Sequence, residues 1–246
     1  MDDEIGQELE LAEREEHEFA GERDPTRVYP HNLGARCDLN PPCDIELADV
    51  AKCFINSDFR ASKQVVKIQT GGKKYVHINI YRGGQINVAG YVDMEKAQVL
   101  CKQVAKRIKD KLNVPIRFSN FSVSSVMGVG DVGVPVNLNL LAGKSTRWKA
   151  QYDTTFFSGV KLTVPVKRTD LKTQSALNAF DAHFKAKAAK FEKLEDFHVD
   201  VRVSAFTSGK ANVAGGVHPE VLQAAWTKIS PHIKMFERRN PMAHRG

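Results

Sequence analysis

A short stretch of this chain occurs twice, and the repetition constrains the fold more than any other feature. Residues 81–91 and 206–216 share the pattern aromatic–x–x–Gly–(Gln/Lys)–x–Asn–Val–Ala–Gly, and the two copies begin 125 residues apart. In each copy an alternating apolar segment precedes the stretch, and a segment with helical periodicity follows it. Such self-similarity indicates a duplicated unit of strand, glycine turn, strand and helix. The sequence therefore predicts an α+β fold with two pseudo-symmetric repeats.

Charge divides the chain into an acidic start and a basic remainder. Residues 1–24 contain eleven carboxylates and two arginines but few apolar side chains, so they are predicted to be a disordered acidic tail. The remaining residues carry 34 basic and 18 acidic side chains and are predicted to form a first repeat over 25–113 and a second over 114–246. A basic body of this kind favours a polyanionic partner such as nucleic acid. A solvated charged surface is the alternative interpretation.

The second repeat contains a segment, at about 168–196, that the first repeat lacks. Its aromatic and aliphatic residues recur at the spacing of one helix face, which predicts a helix over Thr173–Leu194. We expect this helical insertion to project near Phe157 and to pack against the body or against a partner protein. Contact with DNA through its lysines is the alternative.

Motifs for catalysis and cofactor binding are weak in this chain. Gly128, Gly130 and Gly133 match G-x-G-x-x-G, but Pro135 follows where a phosphate-binding helix would begin. The histidines and the four cysteines show no ligand or catalytic spacing, so we expect the cysteines to be reduced and mostly buried. No apolar run is long enough to span a membrane, and no secretory signal is recognised. The sequence predicts no enzyme, no metal and no cofactor.

The repeated strands present similar polar and aromatic groups. Because side chains alternate along a strand, each copy has an apolar face for the helices and a second face of different chemistry. An aromatic ring, amides and a longer polar or cationic group occupy that second face, at Asn79, Tyr81, Gln85 and Asn87 in the first copy and Ser204, Phe206, Lys210 and Asn212 in the second. Such groups suit the minor groove of DNA, where amides reach base-edge acceptors and aromatic wedges open a base step. A solvated sheet face is the alternative.

Several segments resemble the TATA-box-binding protein (TBP) family. The resemblance covers roughly 32–237 apart from the insertion, is clearest over Asn113–Leu138, and includes F-x-S-G-K at Phe206–Lys210. Residues 152–157 resemble the stirrup of the family's second repeat, which ends in an intercalating phenylalanine. The resemblance implies a saddle: a curved ten-stranded antiparallel sheet with long helices on the convex side and the concave face in the DNA minor groove.

Site residues can be carried over from the family one at a time. Phe157, Phe206 and Tyr81 match intercalating wedges, and Lys210 matches a phosphate contact whose first-repeat counterpart is Gln85. The other predicted DNA contacts are amides and hydroxyls, at Asn79, Asn87, Ser125, Ser204, Ser208 and Asn212, of which Asn87 and Asn212 stand where the family has valines that face DNA.

The chain departs from the family pattern at several positions. The first wedge of the first repeat falls near Ser62, so that ring is missing unless Phe59 takes its place. The family's central asparagines fall at Ser125 and near Gly34, and of the stirrup's acidic pair only Asp153 remains. These changes predict a more polar DNA-facing surface. Such divergence resembles the copies carried by large DNA viruses or protists.

The function implied by the resemblance is that of a TBP-like transcription initiation factor that binds and bends DNA in the minor groove. Its implied partners are double-stranded promoter DNA and the general transcription factors or RNA polymerase machinery, with no membrane partner. The implied location is the nucleus, or the viral factory or virion if the chain is viral. The alternative is a TBP-fold protein-interaction scaffold with weak or non-specific DNA binding.

Overall fold

The computed structural model of this chain describes five stretches, over which the residues form ten strands and five helices. The stretches are 24–41, 45–70, 76–90, 93–187 and 193–238. Within them the chain divides into two compact units, a first unit of residues 31–124 and a second unit of residues 24–30 and 125–238. The predicted acidic tail lies outside the described residues except for Asp24.

The first unit is a five-stranded antiparallel arrangement with two helices. The strand order is β2-β3-β4-β5-β1, and each neighbouring pair is antiparallel. The elements in chain order are β1 (Val28–Asn40), α1 (Leu47–Lys52), β2 (Ser57–Arg60), β3 (Val65–Gln69), β4 (Val76–Tyr81), β5 (Gln85–Gly90) and α2 (Met94–Leu112).

The second unit repeats this topology and adds one helix. Its strand order is β7-β8-β9-β10-β6, again antiparallel throughout. The elements are β6 (Arg117–Asp131), α3 (Leu138–Lys144), β7 (Lys149–Gln151), β8 (Val160–Lys167), α4 (Gln174–Lys187), β9 (His198–Ala205), β10 (Lys210–Gly216) and α5 (Pro219–Lys234). When α4 is set aside, the order of strands and helices matches the first unit element for element. The duplication predicted from the repeated stretch is therefore confirmed.

The two long helices begin where their sequences provide caps. The Asp93 carboxylate accepts a hydrogen bond from the backbone N–H of Lys96 at 2.7 Å and starts α2. Asn113, at φ 51°, ends α2 in the left-handed conformation that asparagine tolerates. Pro219 opens α5, and the His218 ring accepts from the N–H of Glu220 at 3.2 Å. Each helix thus begins after its repeated stretch, where helical periodicity predicts a helix.

Alternating side chains give the strands of each unit two different faces. One face, here called the covered face, carries the buried apolar residues and packs against the helices, with α2 on β5 and α5 on β8, β9 and β10. The other, here called the open face, carries side chains that are exposed or half-buried. Its main residues are Arg36, Asp38, Lys67, His77, Asn79, Tyr81, Gln85 and Asn87 in the first unit, and Ser125, Val129, Asp131, Lys149, Lys161, Lys167, Asp200, Arg202, Ser204, Lys210 and Asn212 in the second.

Two of the three G-x-G-x-x-G glycines, Gly128 and Gly130, make room for packing. A Cβ on Gly130 would lie 2.7 Å from the Trp226 indole of α5, and one on Gly128 would lie 2.6 Å from a Val28 methyl carbon. Both glycines are inside β6, where a phosphate-binding loop would have to end the strand. The motif is thus a consequence of close packing in the second unit.

The insertion leaves the sheet at the end remote from Phe157. Val160 pairs with Ala205 beside Phe157, whereas Lys167 pairs with His198 at the other end of the same two strands. At about 3.3 Å per residue the two ends are roughly 23 Å apart. The expectation that the insertion projects near Phe157 is therefore wrong, because the β8–β9 register makes the chain leave the sheet after Lys167 and return at His198, both at the opposite end.

The inserted helix packs against its own unit. Phe180 is fully buried, and its ring meets Phe197 in a T-shaped contact with centroids 5.2 Å apart. Arg168 donates two hydrogen bonds to Asp181, at 2.8 and 3.1 Å, which ties the start of the insertion to α4. The described helix ends at Lys187, and residues 188–192 of the predicted helix lie outside the described residues. Lys193 and Leu194 are not helical, so the predicted end at Leu194 is wrong.

Glu220 of α5 provides a second anchor for the insertion. Its carboxylate accepts hydrogen bonds from the backbone N–H groups of Lys172 and Thr173 and from the Thr173 hydroxyl. Although burial raises it, the pKa of Glu220 is lowered overall by these hydrogen bonds. Lys228, two turns further along α5, pairs with Asp170. Contacts with α5 therefore hold both ends of the short segment that leads into α4.

We expect Phe180→Ala to lower the free energy of unfolding by about 3–5 kcal/mol, because it removes a buried aromatic ring and leaves a cavity. Lys185→Ala, an exposed position of the same helix, is the matched control and should change stability by less than about 0.5 kcal/mol. Urea denaturation measures both. Equal stability of the two variants would mean that α4 does not pack on the body.

Glu220→Gln should destabilise the protein by about 1–2 kcal/mol at neutral pH, because it weakens charge-assisted hydrogen bonds. A carboxylate whose pKa is lowered by folding contributes stability above its ordinary value of 4.5, and this contribution is lost as the pH falls through the lowered pKa. The stability difference between the two proteins should therefore shrink in acid. Denaturation of both proteins across the acidic range, with the exposed Glu195→Gln as control, tests this. A difference that does not depend on pH would contradict it.

Candidate functional site

Predicted site residues of the second unit lie together on its open face. Asn212 of β10 pairs with Ser204 of β9 on one side and with Val129 of β6 on the other. Paired residues of antiparallel strands point to the same face, so the amide and the hydroxyl are neighbours. Ser125 lies on the same face of β6, four residues before Val129. Lys210 begins β10 and is exposed there.

Lys161 belongs to this group, although the repeated stretch does not contain it. Lys161 lies on β8 and pairs with Ser204 of β9. Lys161, Ser204 and Asn212 therefore form one row across three strands. Its Nζ lies 4.7 Å from the centroid of the Phe157 ring, within the range of a cation–π contact. The alternation of Val160, Lys161 and Leu162 along β8 is the sequence signal that could have identified it.

Two predicted wedge residues meet at one end of the second unit. Phe157 precedes β8 and Phe206 follows β9, and their ring centroids are 5.6 Å apart at an interplanar angle of 58°. A Cβ on Gly159 would lie 2.9 Å from the Phe157 ring and 3.1 Å from the Phe206 ring, so glycine is required for this contact. Both rings are half-buried against each other, whereas the wedge interpretation leads one to expect full exposure.

Phe156 is the fully exposed ring of this end. It is 87% exposed, more than any other large apolar side chain in the described residues. The backbone N–H groups of Phe156 and Phe157 both donate to the Asp153 carbonyl, at 3.3 and 3.0 Å, and the N–H of Thr155 donates to the Asp153 carboxylate at 3.0 Å. This turn fixes Phe156 at the tip of the β7–β8 connection. Phe156 does not match the family pattern, in which the wedge position falls on the neighbouring Phe157.

The F-x-S-G-K segment forms the tight turn between β9 and β10. The N–H of Phe206 donates to the Lys210 carbonyl at 2.9 Å, and the N–H of Gly209 donates to the Phe206 carbonyl at 3.0 Å. Gly209 has φ +88°, and a Cβ there would lie 2.2 Å from the Val134 carbonyl oxygen, so glycine is required. Ser208 is exposed at the tip of the turn, and its hydroxyl oxygen lies 3.4 Å from the N–H of Lys210.

The predicted residues of the first unit form the equivalent row. Asn87 of β5 pairs with Asn79 of β4 and with Arg36 of β1, and Asn79 pairs in turn with Lys67 of β3. Two amides thus lie between two basic side chains on the open face. Gln85 lies on the same face of β5, two residues before Asn87.

Tyr81 ends β4 and provides the aromatic ring at that end of the first unit. It pairs with Val65 and is half-buried. Phe59 cannot join it on the open face, because Phe59 pairs with Val66, a fully buried residue of the covered face. Ser62, where the family has a ring, lies exposed in a single 3₁₀ turn over Ala61–Lys63. The register therefore excludes the expectation that Phe59 takes the missing wedge position.

The chemistry of the open faces suits binding by hydrogen bonds, cations and aromatic rings. In the second unit five basic side chains share the open face with two carboxylates, of which Asp200 is paired with His198 at 3.4 Å.

Among the residues that the structure describes, no group of His, Cys, Asp and Glu side chains could hold a metal ion. Within the same residues, no helix is both long and apolar enough to cross a membrane.

Comparison with known proteins finds sequence similarity to TATA-box-binding proteins. No family model matches the chain. TATA-box-binding protein 2 of Entamoeba histolytica is 32% identical over 136 residues, which cover 55% of this chain and 63% of that protein. TATA box-binding protein-like 2 of Mus musculus is 24% identical over 133 residues, which cover 54% of this chain and 38% of the mouse protein. The matched region is thus less than two thirds of either relative.

Solved structures extend the similarity to most of the chain. Methanococcus jannaschii TBP superposes with a TM-score of 0.60 over 85% of this chain and 99% of that chain, at 20% sequence identity. The predicted TBP fold is therefore confirmed. The chain is therefore similar, at low sequence identity, to several TATA-box-binding proteins, and its fold is that of an archaeal TBP.

Proposed function

We propose that this chain binds double-stranded DNA through the open faces of its two units and acts as a TBP-like transcription initiation factor. The observation that carries the proposal is the row of amides, hydroxyls and cations on each open face, at Asn79 and Asn87 in one unit and Lys161, Ser204 and Asn212 in the other. The relatives named TATA-box-binding proteins support the same kind of partner.

The proposal extends to the minor groove. Base edges in that groove present mainly acceptors, which suit the amide N–H groups of Asn79, Asn87 and Asn212. The basic side chains on the same faces, such as Lys161 and Lys210, would lie near the flanking phosphates. A minor groove opened by aromatic wedges is also the geometry in which side chains of this length reach both bases and backbone.

Further partners follow from the same proposal. A TBP-like factor on promoter DNA would meet general transcription factors or the RNA polymerase machinery, and the nucleus is the expected compartment. A TBP-fold protein-interaction scaffold is the competing function. Selection from a random duplex library, followed by titration of the selected duplexes, distinguishes the two. Enrichment of a sequence supports the initiation factor, whereas weak binding without enrichment, or no binding of any duplex at low salt, supports the scaffold.

Replacing Lys161 and Lys210 together with Gln should weaken DNA binding and flatten its salt dependence. Each phosphate contact contributes about −0.9 to the slope of log K against log salt, so the slope should become less negative by up to about 1.8. Lys106 and Lys109 are exposed on α2, which packs on the covered side of the first unit. Their double Gln variant has the same net charge and should keep the original slope. Fluorescence anisotropy from low to moderate salt measures both.

Replacing Asn87 and Asn212 together with Ala should lower affinity without changing the salt slope. Each lost hydrogen bond is worth about 1 kcal/mol, or roughly fivefold in the dissociation constant. The two side chains are neutral, so no counterion release is lost with them. A slope that changes as much as in the lysine variant would mean that these residues do not contact base edges.

A further inference from the structure

The two units end their open faces differently. In the second unit the β7–β8 connection has eight residues, 152–159, and carries Phe156 and Phe157. In the first unit the matching β2–β3 connection has four residues, 61–64, and is Ala-Ser-Lys-Gln. The repeat therefore preserves the strands but not the loop that presents the wedge rings.

The ring clusters at these ends are correspondingly unequal. Phe156 stands fully exposed beside the Phe157–Phe206 pair, so three phenylalanine rings lie at one end of the second unit. On the open face of β2, β3 and β4, the strands next to the β2–β3 connection, that end holds a single phenol or phenyl ring, that of Tyr81. Phe59 points to the covered face, as its pairing with Val66 requires.

Opening a base step requires apolar rings that enter the stack. Unstacking the bases costs free energy, and an inserted phenyl ring offsets that cost by contact with the separated bases. A tyrosine ring that enters the same place must also lose the water around its hydroxyl. This desolvation costs further free energy unless the hydroxyl finds a hydrogen-bond partner. Tyr81 is moreover half-buried over its partner Val65, whereas Phe156 has no packing to lose.

We propose that this chain kinks DNA at one step only, under the second unit, through Phe156, Phe157 and Phe206. The first unit holds the duplex through Asn79, Asn87 and its flanking cations without inserting a ring. This inference rests on the proposed DNA binding and assigns the bend to one of the two units. It also gives the complex a direction, since the kinked end and the unkinked end differ.

The kinked step should be one that unstacks easily. Pyrimidine–purine steps such as TA and CA are the most deformable in B-DNA, so a single such step is expected at the end bound by the second unit. The DNA sequence bound by the first unit is then selected mainly by contacts between side chains and the minor groove. Directional binding would arise from this difference even at a nearly symmetric site.

The test uses the full chain and a duplex of roughly 30 base pairs, well below the persistence length of about 150, with a central A·T tract. Anisotropy reports binding, energy transfer between dyes at the two ends reports bending, and 2-aminopurine placed at successive steps reports unstacking. We expect the wild type to bend the duplex with one unstacked step. Phe157→Ala/Phe206→Ala should bind but leave the duplex as straight as the free DNA, and Tyr81→Ala should keep the wild-type bend.

Phe156→Ala is the control for loss of folding, because this exposed ring has no core contact to lose. We expect this variant to bend the duplex less than the wild type and to keep the melting temperature of the wild type. Two unstacked steps, or a Tyr81→Ala variant that loses as much bend as the phenylalanine variant, would overturn the inference. Binding of the wild type without any bend would overturn it too, while DNA binding stands. No anisotropy change with any duplex would overturn the proposed function itself, and the inference with it.

Discussion

The second unit depends on the contact between Trp226 of α5 and Gly130 of β6. The indole is fully buried and lies where any Cβ on residue 130 would be, so glycine at that position sets how closely α5 approaches the strands. The indole N–H also donates to the Pro25 carbonyl at 2.9 Å, which fixes the residues that lead into β1. With α5 held in this way, Leu222 and Ile229 are buried against the sheet. The polar residues of the same strands are left to the opposite, open face.

The same helix explains how the unit tolerates an insertion. Glu220 and Lys228 of α5 hold the segment that leads into α4, and Phe180 is buried against Phe197. These anchors lie beside α5, on the covered side. The insertion therefore adds to the covered side and leaves unaltered the row of Lys161, Ser204 and Asn212, so the candidate interface keeps its repeated pattern.

Much of the fold could be predicted because the repeated stretch carries its own alternation. Ile78, Val88 and Val203 are buried where the period of two places them. The short edge strands β2 and β7 gave no signal, since three or four mostly polar residues show no periodicity. The candidate site could be predicted where it lies on repeated strands or matches the family pattern. Lys161 has a signal in the alternation along β8, but its place beside Ser204 comes from strand pairing that a single sequence does not display, and Phe156 depends on a turn with no such pattern.

The insertion between β8 and β9 also changes how the second unit assembles. The nearest pair of the corresponding first-unit strands joins Gln69 to His77, eight residues apart, whereas Lys167 pairs with His198 across 31 residues. Closing the longer loop costs roughly 1 kcal/mol more in chain entropy. Strand pairs that are distant in sequence also form more slowly than local ones. The burial of Phe180 against Phe197 shortens the effective loop, so the packing of α4 and the pairing of β8 with β9 are expected to be coupled during folding.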